Sequence, residues 1–164
     1  MISIGGGSAI DLGKSVAALV TNPGDIFDHL EVIGKGLPIT NKPLPYIAVP
    51  TTSGPGSEAT KNAVLKSNKF GRKASIRADS MLPLVAIVDP TLTITCPPSI
   101  TANVGLDTLC QLIEPYTCNI ANPFTDALAR EGIVRAARSL RAVVADGQDI
   151  EARYLPCCTY HLVH

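Results

Sequence analysis

The sequence contains no tryptophan, and aromatic residues make up only 4% of its 164 positions. A surface that holds single-stranded nucleic acid by stacking bases on rings is therefore not expected. An excess of charge is missing too, because 14 Lys and Arg balance 14 Asp and Glu. Without a basic footprint, neither nucleic acid nor an anionic membrane is an expected partner. No apolar run approaches the roughly 20 residues of a membrane helix. The first residues also lack the basic stretch of a signal peptide, so a cytoplasmic protein is expected. The cysteines are Cys96, Cys110, Cys118, Cys157 and Cys158, an odd number with no C-x-x-C pair. That spacing argues against a disulfide framework and a zinc ribbon, and reduced thiols are the plain reading. What is present is a chain with 46% hydrophobic and 17% charged residues, long enough for a core and too apolar for disorder.

Three short apolar runs read as buried strands, Ile2 to Ile4, Tyr46 to Val49 and Leu84 to Val88, each closed by a turn signal. Between the first two, Ile10, Val16, Ala17, Leu19 and Val20 could line one face of a helix over 8–20. The stretch 24–42 is rich in Gly, Pro and Asn and reads mostly as loop. Strands alternating with helices predict an α/β fold, part of a doubly wound parallel sheet. After Asp89 the pattern changes. Pro97 and Pro98 break the chain, Ser99 could cap a helix, and Val104, Leu106, Leu109, Leu112 and Ile113 follow at helical spacing. Pro115 would break or kink that helix. A second helix fits 123–145, so the first helices of an all-α domain are expected after a boundary near 97, dividing the chain into 1–97 and 98–164. Both ends of the chain read as truncations of a longer parent, since a glycine run follows Met1 so closely and 155–164 keep no period.

The strongest chemical signal is Gly5-Gly6-Gly7-Ser8-Ala9-Ile10-Asp11, between a strand and a helix. Glycines there let main-chain N–H groups approach a phosphate, and the helix N-terminus favours an anion. Ser8 with Asp11 three residues later resembles a capping box. A tight strand-to-helix turn without a ligand is the competing reading. Two familiar motifs fail. Ile10 stands where the G-x-G-x-x-G fingerprint needs its third Gly, and Ser8 stands at the first Gly of a P-loop ending at Gly13-Lys14-Ser15. A second loop, Pro50-Thr51-Thr52-Ser53-Gly54-Pro55-Gly56-Ser57-Glu58, follows the second strand. Small hydroxyls and glycines at such a tip suit the edge of a nucleotide. A hydroxyl-capped turn suits them equally.

Taken in order, G-G-G-S-x-x-D, P-T-T-S-G-x-G-S-E-x-T and D-P-x-L-T…P-P…G-L-D-x-L…I-E-x-Y resemble the iron-containing (group III) alcohol dehydrogenases, over residues 2–153. The resemblance implies an α/β domain that binds NAD or NADP, then a helical domain that holds divalent iron or zinc. It implies that Gly6, Gly7 and Ser8 contact the pyrophosphate and that Asp11 supports their loop. Thr51, Thr52, Ser53, Gly54 and Pro55 would line the other side, with Asn62, Lys73 and Leu92 as further nucleotide contacts. A cation at Lys73 suits a pyrophosphate or ribose, although a solvated lysine beside Lys69 and Arg72 is the bland alternative. Pro55 departs from the family's usual Thr and lacks an N–H to donate.

For the metal, the resemblance assigns Asp107 in the pattern G-x-D-x-x-x-H. Residues four apart share a helix face, but the His position is Gln111, whose amide oxygen is a poor ligand for iron or zinc. His161 and His164 are not expected to substitute, Cys110 reads as a buried thiol, and Glu114 reads as a packing or salt-bridge residue on the face of Asp107. The implied activity is hydride transfer between NAD(P) and a small alcohol or aldehyde in a cleft between domains, in a parent that could be a homodimer. The chain alone is expected to be inactive or unstable. A metal-independent reductase resembling maleylacetate reductase is the second hypothesis, and a non-catalytic remnant the third.

Overall fold

The computed structural model describes residues 1–154. They form two compact units, Met1–Pro50 with Ser57–Ile87, and Thr51–Gly56 with the chain from Val88 onward.

The first unit is α/β. Strands β1 (Ile2–Gly5), β2 (Ile47–Pro50) and β5 (Val85–Ala86) make a parallel sheet in the order β1-β2-β5. Helix α1 (Gly7–Leu19) starts within two residues of the end of β1. Its apolar face supplies Ile10 and Ala17, which pack with Tyr46 and Ala48 in one buried cluster. The Tyr46 hydroxyl donates to the Ile10 carbonyl at 2.9 Å, so the one polar atom of that cluster is satisfied. Burial pushes the Tyr46 phenol's pKa up. The cap differs from the sequence expectation. Gly6 is the N-cap and no side chain caps the helix, so Ser8 and Asp11 do not form a capping box. The turn begins earlier because Gly5, with φ of +154°, adopts a conformation that β-carbon-bearing residues avoid.

An antiparallel hairpin, β3 (Asn62–Ser67) and β4 (Arg72–Arg77), has no counterpart in the sequence expectations. Its signal was the period-two alternation of Ala63 and Leu65 with Ala74 and Ile76, hidden among five Lys and Arg. Ala63, Ala74 and Ile76 are buried with Ala18, Leu30 and Met81, and Leu65 packs against them. Gly71, with φ of +61°, turns the chain between the strands. Within 24–42, read as loop, a single helical turn α2 (Ile26–His29) carries a full capping box from Asp25 and Asp28. His29 bridges the Pro23 and Leu37 carbonyls, each at 3.1 Å, and pins the loop around it.

The second unit is built on helices α3 (Pro98–Thr117) and α4 (Pro123–Ala145). Two expectations need correction. The N-cap of α3 is Pro97 rather than Ser99, with Pro98 in the first turn, where a missing N–H costs nothing. Pro115 also lies inside α3 without stopping it. The helix ends two residues later, so the lost bond and the steric clash fall in its last turn. The helices meet at buried Gly105, where an added Cβ would overlap the Leu140 side chain. No helix among the described residues is long and apolar enough to cross a membrane.

Candidate nucleotide-binding site

The parallel pairing of β1 with β2 runs in register from Ile2–Ile47 to Gly5–Pro50. The glycine turn and the Pro50-Thr51-Thr52 segment therefore leave the sheet from the carboxyl ends of two adjacent strands. Gly6, Gly7 and Ser8 make the N-cap and first two residues of α1. No side chain caps this first turn, and of its N–H groups that of Ala9 already meets the Gly6 carbonyl at 2.9 Å.

Asp11 and Lys14 sit one turn further on, both buried. Asp11 Oδ2 accepts the Val64 N–H at 3.0 Å. Lys14 is 1% exposed, and its Nζ donates to the Asn62 carbonyl at 2.6 Å, the Thr60 carbonyl at 2.9 Å and the Thr60 hydroxyl at 3.2 Å. The same ammonium lies 3.6 Å from Asp11 Oδ1. Burial pushes the Lys14 pKa below its ordinary 10.5, and the Asp11 carboxylate opposes that shift. Sequence reading treated Lys14 only as part of a failed P-loop. Its signal was a lysine between apolar positions on the inward face of α1, three residues after an Asp.

Asn62 opens β3 and Lys73 is the second residue of β4. Lys73 pairs with Lys66 and Asn62 pairs with Arg77, so all four share the face turned away from buried Ala63, Ala74 and Ile76.

In the second unit, Thr51–Pro55 form an irregular loop seated on α3. The Ser53 carbonyl accepts the Thr108 hydroxyl at 3.4 Å. A Cβ on Gly54 would come within 2.5 Å of the Val104 carbonyl oxygen, so only glycine fits against that backbone. Thr52 and Ser53 line a cavity of ≈ 20 Å³ with Thr93, Thr101 and Val104, room for about one water. Leu92 lies in a single 3₁₀ turn, Pro90–Thr93, whose Asp89 cap accepts the Thr91 N–H.

At the position the resemblance assigns to metal, Gln111 Nε2 donates to Asp107 Oδ2 at 3.0 Å on the exposed side of α3. The helix puts the two on one face, but the amide meets the carboxylate as a donor and not as a second lone pair. Among the described residues no three His, Cys, Asp or Glu gather as a metal would need. This pair does not fit a divalent metal by itself. Cys110 is exposed, contrary to the expectation of a buried thiol, because it lies on a flank of α3 left open among the described residues. Glu114 is exposed as well. His161 and His164 lie outside the described residues.

The iron-containing alcohol dehydrogenase pattern matches residues 1–90, and the C-terminal pattern of the same family matches residues 101–160. The chain belongs to the iron-containing alcohol dehydrogenase family. It is 43% identical over 153 residues to long-chain-alcohol dehydrogenase 1 of Geobacillus thermodenitrificans, covering 93% of this chain and 38% of that protein. It is 39% identical over 163 residues to alcohol dehydrogenase 4 of Saccharomyces cerevisiae, covering 99% of this chain and 41% of that one. Among solved structures, sulfoacetaldehyde reductase from Bifidobacterium kashiwanohense in complex with NAD+ superposes with a TM-score of 0.91 at 38% identity, over 99% of this chain and 42% of that one. The chain thus spans about two fifths of the length of these relatives. Their shared fold carries the same mixed α/β architecture with a parallel sheet.

Proposed function

We propose that this chain supplies the dinucleotide-binding part of an NAD(P)-dependent alcohol dehydrogenase, with 1–97 belonging to the nucleotide domain and 98–164 to the helical domain. The observation that carries this reading is the Gly5–Pro50 register, which starts both loops at neighbouring strand tips. Open α/β sheets bind nucleotides beyond the carboxyl ends of their strands. In this reading the Gly6, Gly7 and Ser8 main chain donates to the pyrophosphate, strengthened by the uncapped N-terminus of α1. Asp11 braces that turn. Thr51, Thr52, Ser53, Gly54 and Pro55 follow the second tip and take the nucleotide's other side, with Pro55 contributing no N–H. Asn62, Lys73 and Leu92 add polar, cationic and apolar contacts. The NAD+ complex of the Bifidobacterium relative supports a nicotinamide cofactor.

The reaction is hydride transfer between nicotinamide C4 and the carbon bearing the substrate oxygen, with a small alcohol or aldehyde as substrate. Asp107 is the one metal-ligand position of the family pattern that this chain retains. Gln111, a neutral amide at the position of the family's His, favours a second reading, a metal-independent reductase of the same fold. Titration of the chain with NADH, followed by nicotinamide fluorescence, tests the cofactor site. Saturable binding is expected, unchanged by zinc or by a chelator. The absence of saturable binding would reject the dehydrogenase reading, and a zinc-dependent gain in affinity would reject its metal-independent form.

A further inference from the structure

Strand β3 pairs with β4 on one side only. On its other side, the main-chain groups of alternate residues meet α1 and not another strand. Asp11 accepts the Val64 N–H, while Lys14 donates to the Asn62 and Thr60 carbonyls. Two side chains three residues apart on one helix thus take the place of a neighbouring strand along three consecutive even-numbered residues. Both are buried, and the 3.6 Å contact between them balances charges that are largely withdrawn from solvent. An edge strand left bare in this way would expose its donors and acceptors.

We infer that Lys14 is a positioning residue for the dinucleotide. With Asp11 it clamps the edge of β3 to the helix whose first turn is Gly7 and Ser8, and so holds Asn62 and that turn in one arrangement. The inference rests on the proposed cofactor site. Asn62 is the residue whose own carbonyl Lys14 holds most closely, at 2.6 Å. Ser15 lies next in sequence and is equally buried, but its hydroxyl donates to the Asp11 carbonyl within α1 and ties nothing else. Lys14 and Asp11 are the α1 side chains that hydrogen-bond the main chain of the strand edge among the described residues.

The test uses the whole chain, its Lys14→Met variant and NADH as the probe, well below the melting temperature of both proteins. Methionine keeps most of the side-chain volume and removes the three donors. The expected result is a variant with unchanged far-ultraviolet circular dichroism, Val64 amide exchange at least tenfold faster, and NADH affinity at least tenfold weaker. A residue that merely supported the fold would lower the melting temperature and leave the affinity of the folded protein alone. NADH affinity within twofold of wild type would therefore overturn the inference. Should the variant not fold, the wild-type protein decides: saturating NADH is expected to slow Val64 amide exchange, and no slowing overturns the role. If wild type itself does not bind NADH, the cofactor site is rejected and this inference falls with it. Binding by wild type with an unaffected variant rejects only the role of Lys14.

Discussion

At the scale of single residues, the buried Lys14 makes stability depend on alkaline pH in a direction opposite to most lysines. Its folded pKa lies below the ordinary 10.5 because burial disfavours the cation. Between that depressed value and 10.5, unfolded chains hold a proton that the folded protein has released, so this group's contribution to stability rises with pH across that window. Tyr46 acts the other way. Its raised pKa means the folded protein keeps a proton above pH 10.0 that the unfolded chain loses, so its contribution falls there. Urea unfolding of wild type and Lys14→Met separates the two effects. The stability advantage of wild type over the variant is expected to widen as pH rises toward 10.5, and a constant difference would contradict the burial argument. Gly13 shows a second single-residue constraint. An added Cβ would fall on the Ser3 hydroxyl and lie 2.7 Å from the Tyr46 hydroxyl. Gly13→Ala is therefore expected to cost about 1–3 kcal/mol by overpacking, although alanine is the better helix former. A stabilised variant in thermal melts would show that α1 can shift freely.

Among the elements, α4 was the most legible in sequence, and its reason is local. Asn122 accepts the Phe124 and Thr125 N–H groups through its side chain, the Thr125 hydroxyl accepts the Asn122 N–H, and Pro123 fills the first turn. Asn122→Ala is expected to lower stability by about 1 kcal/mol. Equal midpoints in chemical denaturation for the two proteins would refute that. By contrast, the β3–β4 hairpin was invisible to sequence reading. Each strand buries only one face, and the other carries Lys66, Lys73 and Arg77, so the segment reads as a polar surface run. Lys66 and Lys73 stand directly opposite each other, a like-charge pair that does not favour the hairpin. Its inward alanines and Ile76 and the Asp11–Lys14 clamp stabilise it instead. Prolines mislead at element ends for a related reason. Pro115 is tolerated because α3 stops within its own turn, a fact that a breaker rule cannot anticipate.

Across the molecule, the first unit has its own core, and its parallel sheet leaves apolar side chains uncovered. Ile2 and Ile4 on β1 are 62% and 68% exposed, and Leu84 before β5 is 73% exposed. Exposed apolar side chains on a sheet drive association when they meet a second such surface. Sedimentation of the chain is expected to show self-association that grows with concentration and weakens in Ile4→Lys. Identical sedimentation of the two proteins would place the contact elsewhere.

The sequence alone determined the glycine turn between a strand and a helix, the span of α4 and, through several short motifs in order, the family. Each of those signals is written within a short contiguous stretch and obeys local rules of backbone conformation, capping and spacing. Only the tertiary structure decided that Lys14 is buried, that its ammonium serves a strand edge 46 to 48 residues away, and that β1 and β2 end side by side. Those facts depend on which distant segments pack together. A charge is placed in the interior only when folding brings acceptors to it, and no local pattern encodes where those acceptors will be.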